Sequence, residues 1–170
     1  MTQVKILTIK KDLALVLIRF ALLLGIATLA PFFGNQAITG PIVNAALFLS
    51  VVFLGPQGAI LVGLMPSLIA LSIGLLPAIL VPMVPFIMVG NTISVLVFSY
   101  LREKNYWLGA ISASLLKFIF LAAASSIVID LLLKKEIAQK VAMMMIWPQF
   151  LTALGGGLIA CLFLKSIKRI

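Results

Sequence analysis

Lys117 lies eleven residues into an apolar stretch that begins at Tyr106, in the run Leu115-Leu116-Lys117-Phe118-Ile119. A helix rises about 1.5 Å per residue, which puts Lys117 roughly 17 Å into the stretch, near the middle of a bilayer. Asn91, ten residues before Leu101, falls at about the same depth on the preceding stretch. A lysine at that depth costs at least about 2.5–3.5 kcal/mol on insertion scales, so something must stabilise it. The four carboxylates of the chain, Asp12, Glu103, Asp130 and Glu136, all sit near the ends of apolar stretches. The readings left open for Lys117 are hydrogen bonds to Asn91 and freed carbonyls, loss of its proton on desolvation, contact with an anionic group on a ligand, or a wet or snorkelling side chain.

Other polar groups share one side of the sequence pattern. Gln149, beside Trp147 and Pro148, and Asn44 fall toward the same ends of their stretches, close to Asn35, Gln36 and Thr39. Together with Asn91 and Lys117 they are candidates to line a solute cavity, with Trp147 as an apolar wall. Singly, each is an ordinary packing residue; their shared location is what singles them out. Arg19, six residues beyond Leu13 and roughly 9 Å deep, can snorkel to the headgroups or meet a partner protein. Asp130 and Lys134 are spaced as a favourable helical ion pair.

Several chemistries are excluded by stoichiometry. Histidine is absent and Cys161 is the only cysteine. Neither a zinc site nor an iron–sulfur cluster can be assembled from these ligands within one chain. No two carboxylates share a depth, so acid–base catalysis lacks its pair. The expectation is a protein that is not an enzyme and holds neither cofactor nor metal.

These residues must be positioned by membrane helices. The chain of 170 residues is 64% hydrophobic and 10% charged, with mean hydropathy +1.29. Soluble domains carry about 25% charged residues, so this chain cannot cover a water-exposed sphere. Apolarity unbroken over about 20 residues at a time argues for helices, because barrel strands would alternate. Six segments can be marked, at about 13–33, 42–54, 59–76, 78–101, 106–133 and 141–164. The expected architecture is an all-α integral membrane protein, one domain forming a compact six-helix bundle. The first segment exceeds the core of a signal peptide and is expected to be retained.

The net charge of +9 does not mark a nucleic-acid patch, because the cations sit at segment ends. With the N-terminus inside, Lys5, Lys10, Lys11, Arg102, Lys104, Lys165, Lys168 and Arg169 lie inside, and Lys134, Lys135 and Lys140 outside. This excess of inner cations places both termini in the cytoplasm of a cell-membrane protein, with the polar set facing outward. Pro77, Pro82 and Pro85 interrupt the outer end of the fourth segment and free carbonyls there, consistent with an outward cavity or a plain kink.

Small residues recur four apart at Ala21/Gly25, Ala46/Ser50, Ala59/Gly63/Ser67, Ala70/Gly74, Ala122/Ser126 and Ala153/Gly157/Cys161. Lipid supplies no hydrophobic drive between helices, so close backbone approach must hold them together. Gly55-Pro56-Gln57-Gly58 reads as a tight corner between the second and third segments.

The run Leu54-Gly55-Pro56-Gln57-Gly58-Ala59-Ile60-Leu61-Val62-Gly63 resembles the Gly-Pro-x-x-Gly-Ala-x-x-Gly turn of substrate-binding (S) components of energy-coupling factor (ECF) transporters, with one residue fewer between Pro56 and Gly58. Ala21 and Gly25 resemble the small-xxx-small pair with which that family docks on its coupling subunit. The family's acidic residue after the turn is replaced by Met65-Pro66-Ser67, and the 35–41 loop matches no vitamin-specific signature. The resemblance implies a capture subunit for a small polar or anionic nutrient, working with a transmembrane coupling subunit and separate ATPases. The chain itself has no GxxxxGK[ST] motif. Size and span count are also similar to the MreD rod-shape scaffolds, which would need no ligand.

Overall fold

The computed structural model describes residues 2–74, 78–132 and 146–170, with side chains for 12–74, 80–128 and 146–170. Every described element is helical: α1 (Thr2–Leu29), α2 (Gln36–Ser72), α3 (Val84–Leu101), α4 (Tyr106–Leu132) and α5 (Trp147–Ser166), with short 3-10 turns at Ala30–Phe33 and Ala78–Met83. All five α-helices are long and apolar enough to cross a membrane, which makes this an all-helical, multi-pass membrane protein. Pro77, Lys134, Lys135, Lys140, the Asp130–Lys134 pair and the expected start of the last segment at 141 lie outside the described residues or side chains.

Helix α2 spans 37 residues, about 55 Å at helical rise and far more than a roughly 30 Å hydrocarbon core. It does not run straight. Gly55 adopts φ 76° and ψ 176°, a conformation that only glycine takes without strain. A Cβ placed on Gly63, eight residues after that point, would lie 3.3 Å from Cδ2 of Leu47, eight residues before it. The two arms, 36–54 and 56–72, therefore fold back side by side. The sequence suggested a four-residue corner; the break is confined to Gly55. Helix resumes at Pro56, whose missing N–H costs nothing in a first turn.

The first arm also begins earlier than expected, at Gln36 rather than Ile42. Asn35 caps it, its Oδ1 accepting from the Ala37 N–H at 2.9 Å. This extension places Asn44 eight residues inside the helix. Pro41 is consequently helical, as are Pro56 and Pro66.

The arms pack against α5 and α3 through small residues. A Cβ on Gly156 would stand 2.5 Å from Cβ of Asn44 and 2.7 Å from the Ala45 nitrogen, so α5 meets the first arm backbone to backbone. Between α3 and α4, Gly90 faces Leu121, and Gly109 faces Phe98 and Arg102. Toward the Gly55 end, the Phe48 and Phe98 rings lie 4.5 Å apart and Tyr106 stands edge-on to Phe98 at 5.4 Å. The Tyr106 hydroxyl donates to the Gly157 carbonyl at 2.7 Å, tying α4 to α5. Helix α1 buries Leu23 and Ala27 and leaves Leu22 and Ile26 exposed.

Candidate functional site

At the end of the bundle opposite Gly55, the helices leave a cavity of about 270 Å³. Both arms of α2, together with α3, α4 and α5, contribute to its wall. Its upper rim carries Asn35, Gln36 and Thr39; Lys117 and Asn91 lie deepest in sequence terms, and Asn44, Gln149 and Thr152 line the same space. Val43, Pro66, Ala70, Leu80 and Ile87 supply the apolar remainder. Lys117 and Asn91 are 3% and 4% exposed, so both polar heads are held within protein.

The polarity of this site is fixed by its partners. Asn44 points an amide group at the Gly40 carbonyl at 2.8 Å, and a carbonyl only accepts, so the group is Nδ2. Oδ1 of Asn44 is thereby turned to Lys117, whose Nζ donates to it at 2.7 Å. Asn91 is fixed in the same way: its Nδ2 donates to the Gly63 carbonyl at 2.8 Å, across to the second arm. Its Oδ1 is buried and has no hydrogen-bond partner among the described residues. Lys117 uses one donor on Asn44, its only hydrogen-bond partner among the described residues, and an ammonium has three. Lys117 thus keeps a spare donor, and Asn91 an acceptor with no partner among the described residues, on two residues that line this cavity.

No family model, curated protein or solved structure matches this chain.

Four of the five residues singled out for solute contact, Asn44, Asn91, Lys117 and Gln149, line one cavity. Trp147 is a correction. It does not line the cavity; it is 64% exposed and stacks on Phe118 with ring centres 5.5 Å apart. The apolar wall comes from Val43, Pro66, Ala70, Leu80 and Ile87 instead. Among the readings left open for Lys117, the hydrogen bond found goes to Asn44, because the earlier start of α2 moves Asn44 about 12 Å below the helix start.

Thr152, Ser67 and Ser94 were not singled out from the sequence. Thr152 and Ser67 line the cavity. Ser94 is fully buried with its Oγ unpartnered. The Gly90–Leu121 and Phe98–Gly109 contacts set the α3–α4 register and bring Ser94 level with Lys117. Ala21 is exposed and a Cβ on Gly25 would meet nothing within 4 Å, so among the described residues this pair takes no part in packing within the bundle. The Arg19 guanidinium lies over the Phe53 ring, 5.8 Å from its centre. A second, larger depression between the 56–72 arm and α3 is an open groove lined by Leu64, Leu68, Val84, Pro85 and Met88, with Thr92 as its polar residue. That hydroxyl is already used, donating to the Met88 carbonyl.

Proposed function

We propose that this chain is a membrane-embedded capture subunit for a small polar or anionic nutrient, of the ECF S-component type, working with separate coupling and ATPase subunits. The observation that carries the reading is a buried lysine on the wall of a cavity among whose described lining residues there is no carboxylate. An intramembrane lysine kept away from lipid marks a functional site by default, and a cavity beside it favours a solute site. Scaling from a cavity of roughly 150 Å³ that holds benzene, the volume suits a solute of about eleven non-hydrogen atoms.

In this reading the two arms of α2 cross separately, giving six spans with both termini in the cytoplasm and the cavity open to the outside. The described cations Arg102, Lys104, Lys165, Lys168 and Arg169 lie toward the Gly55 end, and that end is then the inner one. Ala21 and Gly25 remain available on α1 for the coupling subunit. The plasma membrane is the site of action.

The test is native mass spectrometry of the protein in mild detergent, wild type beside Lys117→Met. A stoichiometric small molecule present in the first and absent from the second is expected. A clean spectrum from both, with no binding of a metabolite extract, would sink the reading. It would then favour a ligand-free scaffold of the MreD type. One feature does support that second reading: the Lys117–Asn44 hydrogen bond gives the lysine an internal partner without any solute.

A further inference from the structure

The donor and acceptor inventory of the cavity narrows the solute further, on the premise that the capture reading holds. Lys117 is the one cation among the described lining residues, which include neither arginine nor carboxylate. A monoanion paired with Lys117 gives a net-neutral site wherever the proton resides. A dianion, such as a phosphate monoester, would leave a charge uncompensated at a depth where that costs several kcal/mol per ion. The spare N–H groups of Lys117 suit a carboxylate, which accepts on both oxygens.

A carboxylate alone leaves Asn91 unexplained. Its Nδ2 is committed to Gly63, so the amide cannot flip, and the buried Oδ1 accepts from no group among the described residues. A buried acceptor left unmade is costly, and a solute that satisfies it recovers the loss. Asn91 and Lys117 line the same space from α3 and α4, so one small molecule there can touch both residues; reaching Oδ1 of Asn91 requires the groups that cover it to shift. The rest of the wall, Val43, Pro66, Ala70, Leu80 and Ile87, is apolar and suits a hydrocarbon or ring body.

We infer that the solute is a small monocarboxylate, of about eleven non-hydrogen atoms, that also carries an N–H or O–H donor. The carboxylate is held by Lys117 and the donor by Oδ1 of Asn91.

The experiment measures affinity by thermal stabilisation and by equilibrium binding in detergent. The probes are a metabolite extract, resolved by mass spectrometry, and a panel of monocarboxylates with an N–H or O–H donor. Each panel member is paired with its methyl ester, its donor-methylated analogue and a dicarboxylate or phosphate counterpart. The expected result is selective retention of acids carrying a donor, with the ester and the dianion at least about 10-fold weaker. Lys117→Met should weaken the acid by about 10- to 100-fold while leaving its ester unchanged. Asn91→Ala should erase the preference for the acid with a donor over its methylated analogue. This ratio does not move if the variant merely loses stability. Should Lys117→Met fail to accumulate, Lys117→Gln gives the same comparison. Retention of a neutral, cationic or dianionic solute would overturn the inference while leaving a capture protein. No retained solute from either source would overturn the capture reading itself.

Discussion

Replacing Gly156 by alanine tests the contact that seats Asn44 beside Lys117. The added Cβ would fall 2.5 Å from Cβ of Asn44 and 2.7 Å from the Ala45 nitrogen. Carbon atoms rest at about 3.5–4.0 Å, so the overlap exceeds about 1 Å. Neither neighbour can rotate away, since one is the nitrogen of the chain and the other is bonded directly to it. Helix α5 and the first arm of α2 must part instead. Overpacking on this scale costs up to about 3 kcal/mol, and the better helix propensity of alanine returns up to about 1 kcal/mol. The net loss is about 2 kcal/mol. Gly25→Ala is the control: its Cβ would meet nothing within 4 Å, so the propensity gain of about 0.5–1 kcal/mol should stand alone. At roughly 2–4 °C per kcal/mol for chains of this size, Gly156→Ala should melt about 4–8 °C below wild type and Gly25→Ala slightly above it. Trp107 and Trp147 report the transition by fluorescence in detergent. Equal melting temperatures for the two variants, or a higher one for Gly156→Ala, would refute the close approach of α5 and α2.

Three further outcomes follow from particular contacts. Asn44→Leu removes the acceptor of a buried lysine and should lose about 1–3 kcal/mol or more by thermal unfolding; the double variant with Lys117→Met should be more stable than Asn44→Leu alone, because no polar group is then left unpaired. Gly55→Ala should destabilise by about 1–3 kcal/mol, since alanine cannot adopt φ 76°, ψ 176° without strain; an unchanged melting curve would mean the reversal tolerates another backbone. Gly25→Leu should leave solute affinity intact and reduce co-purification of coupling and ATPase subunits; full recovery of such a complex would remove this face of α1 from the docking surface.

Much of this was legible in the residues and some was not, for identifiable reasons. Unbroken apolarity announced membrane helices, and Gly55-Pro56 announced the reversal, because glycine alone takes the required dihedrals. The depth of Lys117 followed from helical rise. Its partner did not. The start of α2 was placed at Ile42, and the capping role of Asn35 moves that start to Gln36, carrying Asn44 from the rim down to the lysine. The glycine run 155–157 was visible, yet the stripe Ala153/Gly157/Cys161 reports a different neighbour from the one that matters here. Gly157 packs on Ala110 and Phe48, whereas Gly156, about 100° round the helix, packs on Asn44. Which glycine faces which helix depends on the crossing of α5 over α2, and spacing along one helix does not encode it. Ser94 was hidden for the same reason, since its level relative to Lys117 is set by the register of two helices.

The aromatic layer of Phe48, Phe98 and Tyr106 lies on the Gly55 side of the polar cavity. With Leu47, Val51 and Val95, the Phe48 and Phe98 side chains fill the bundle there almost wholly buried, and Tyr106 is partly buried beside them. The molecule therefore has a mouth and a sealed base, the form of a cup rather than a pipe. Reconstituted alone in a planar bilayer, it should carry no steady current under an applied voltage, even with solute on both sides. A solute that entered such a cup would have to leave by the same lip.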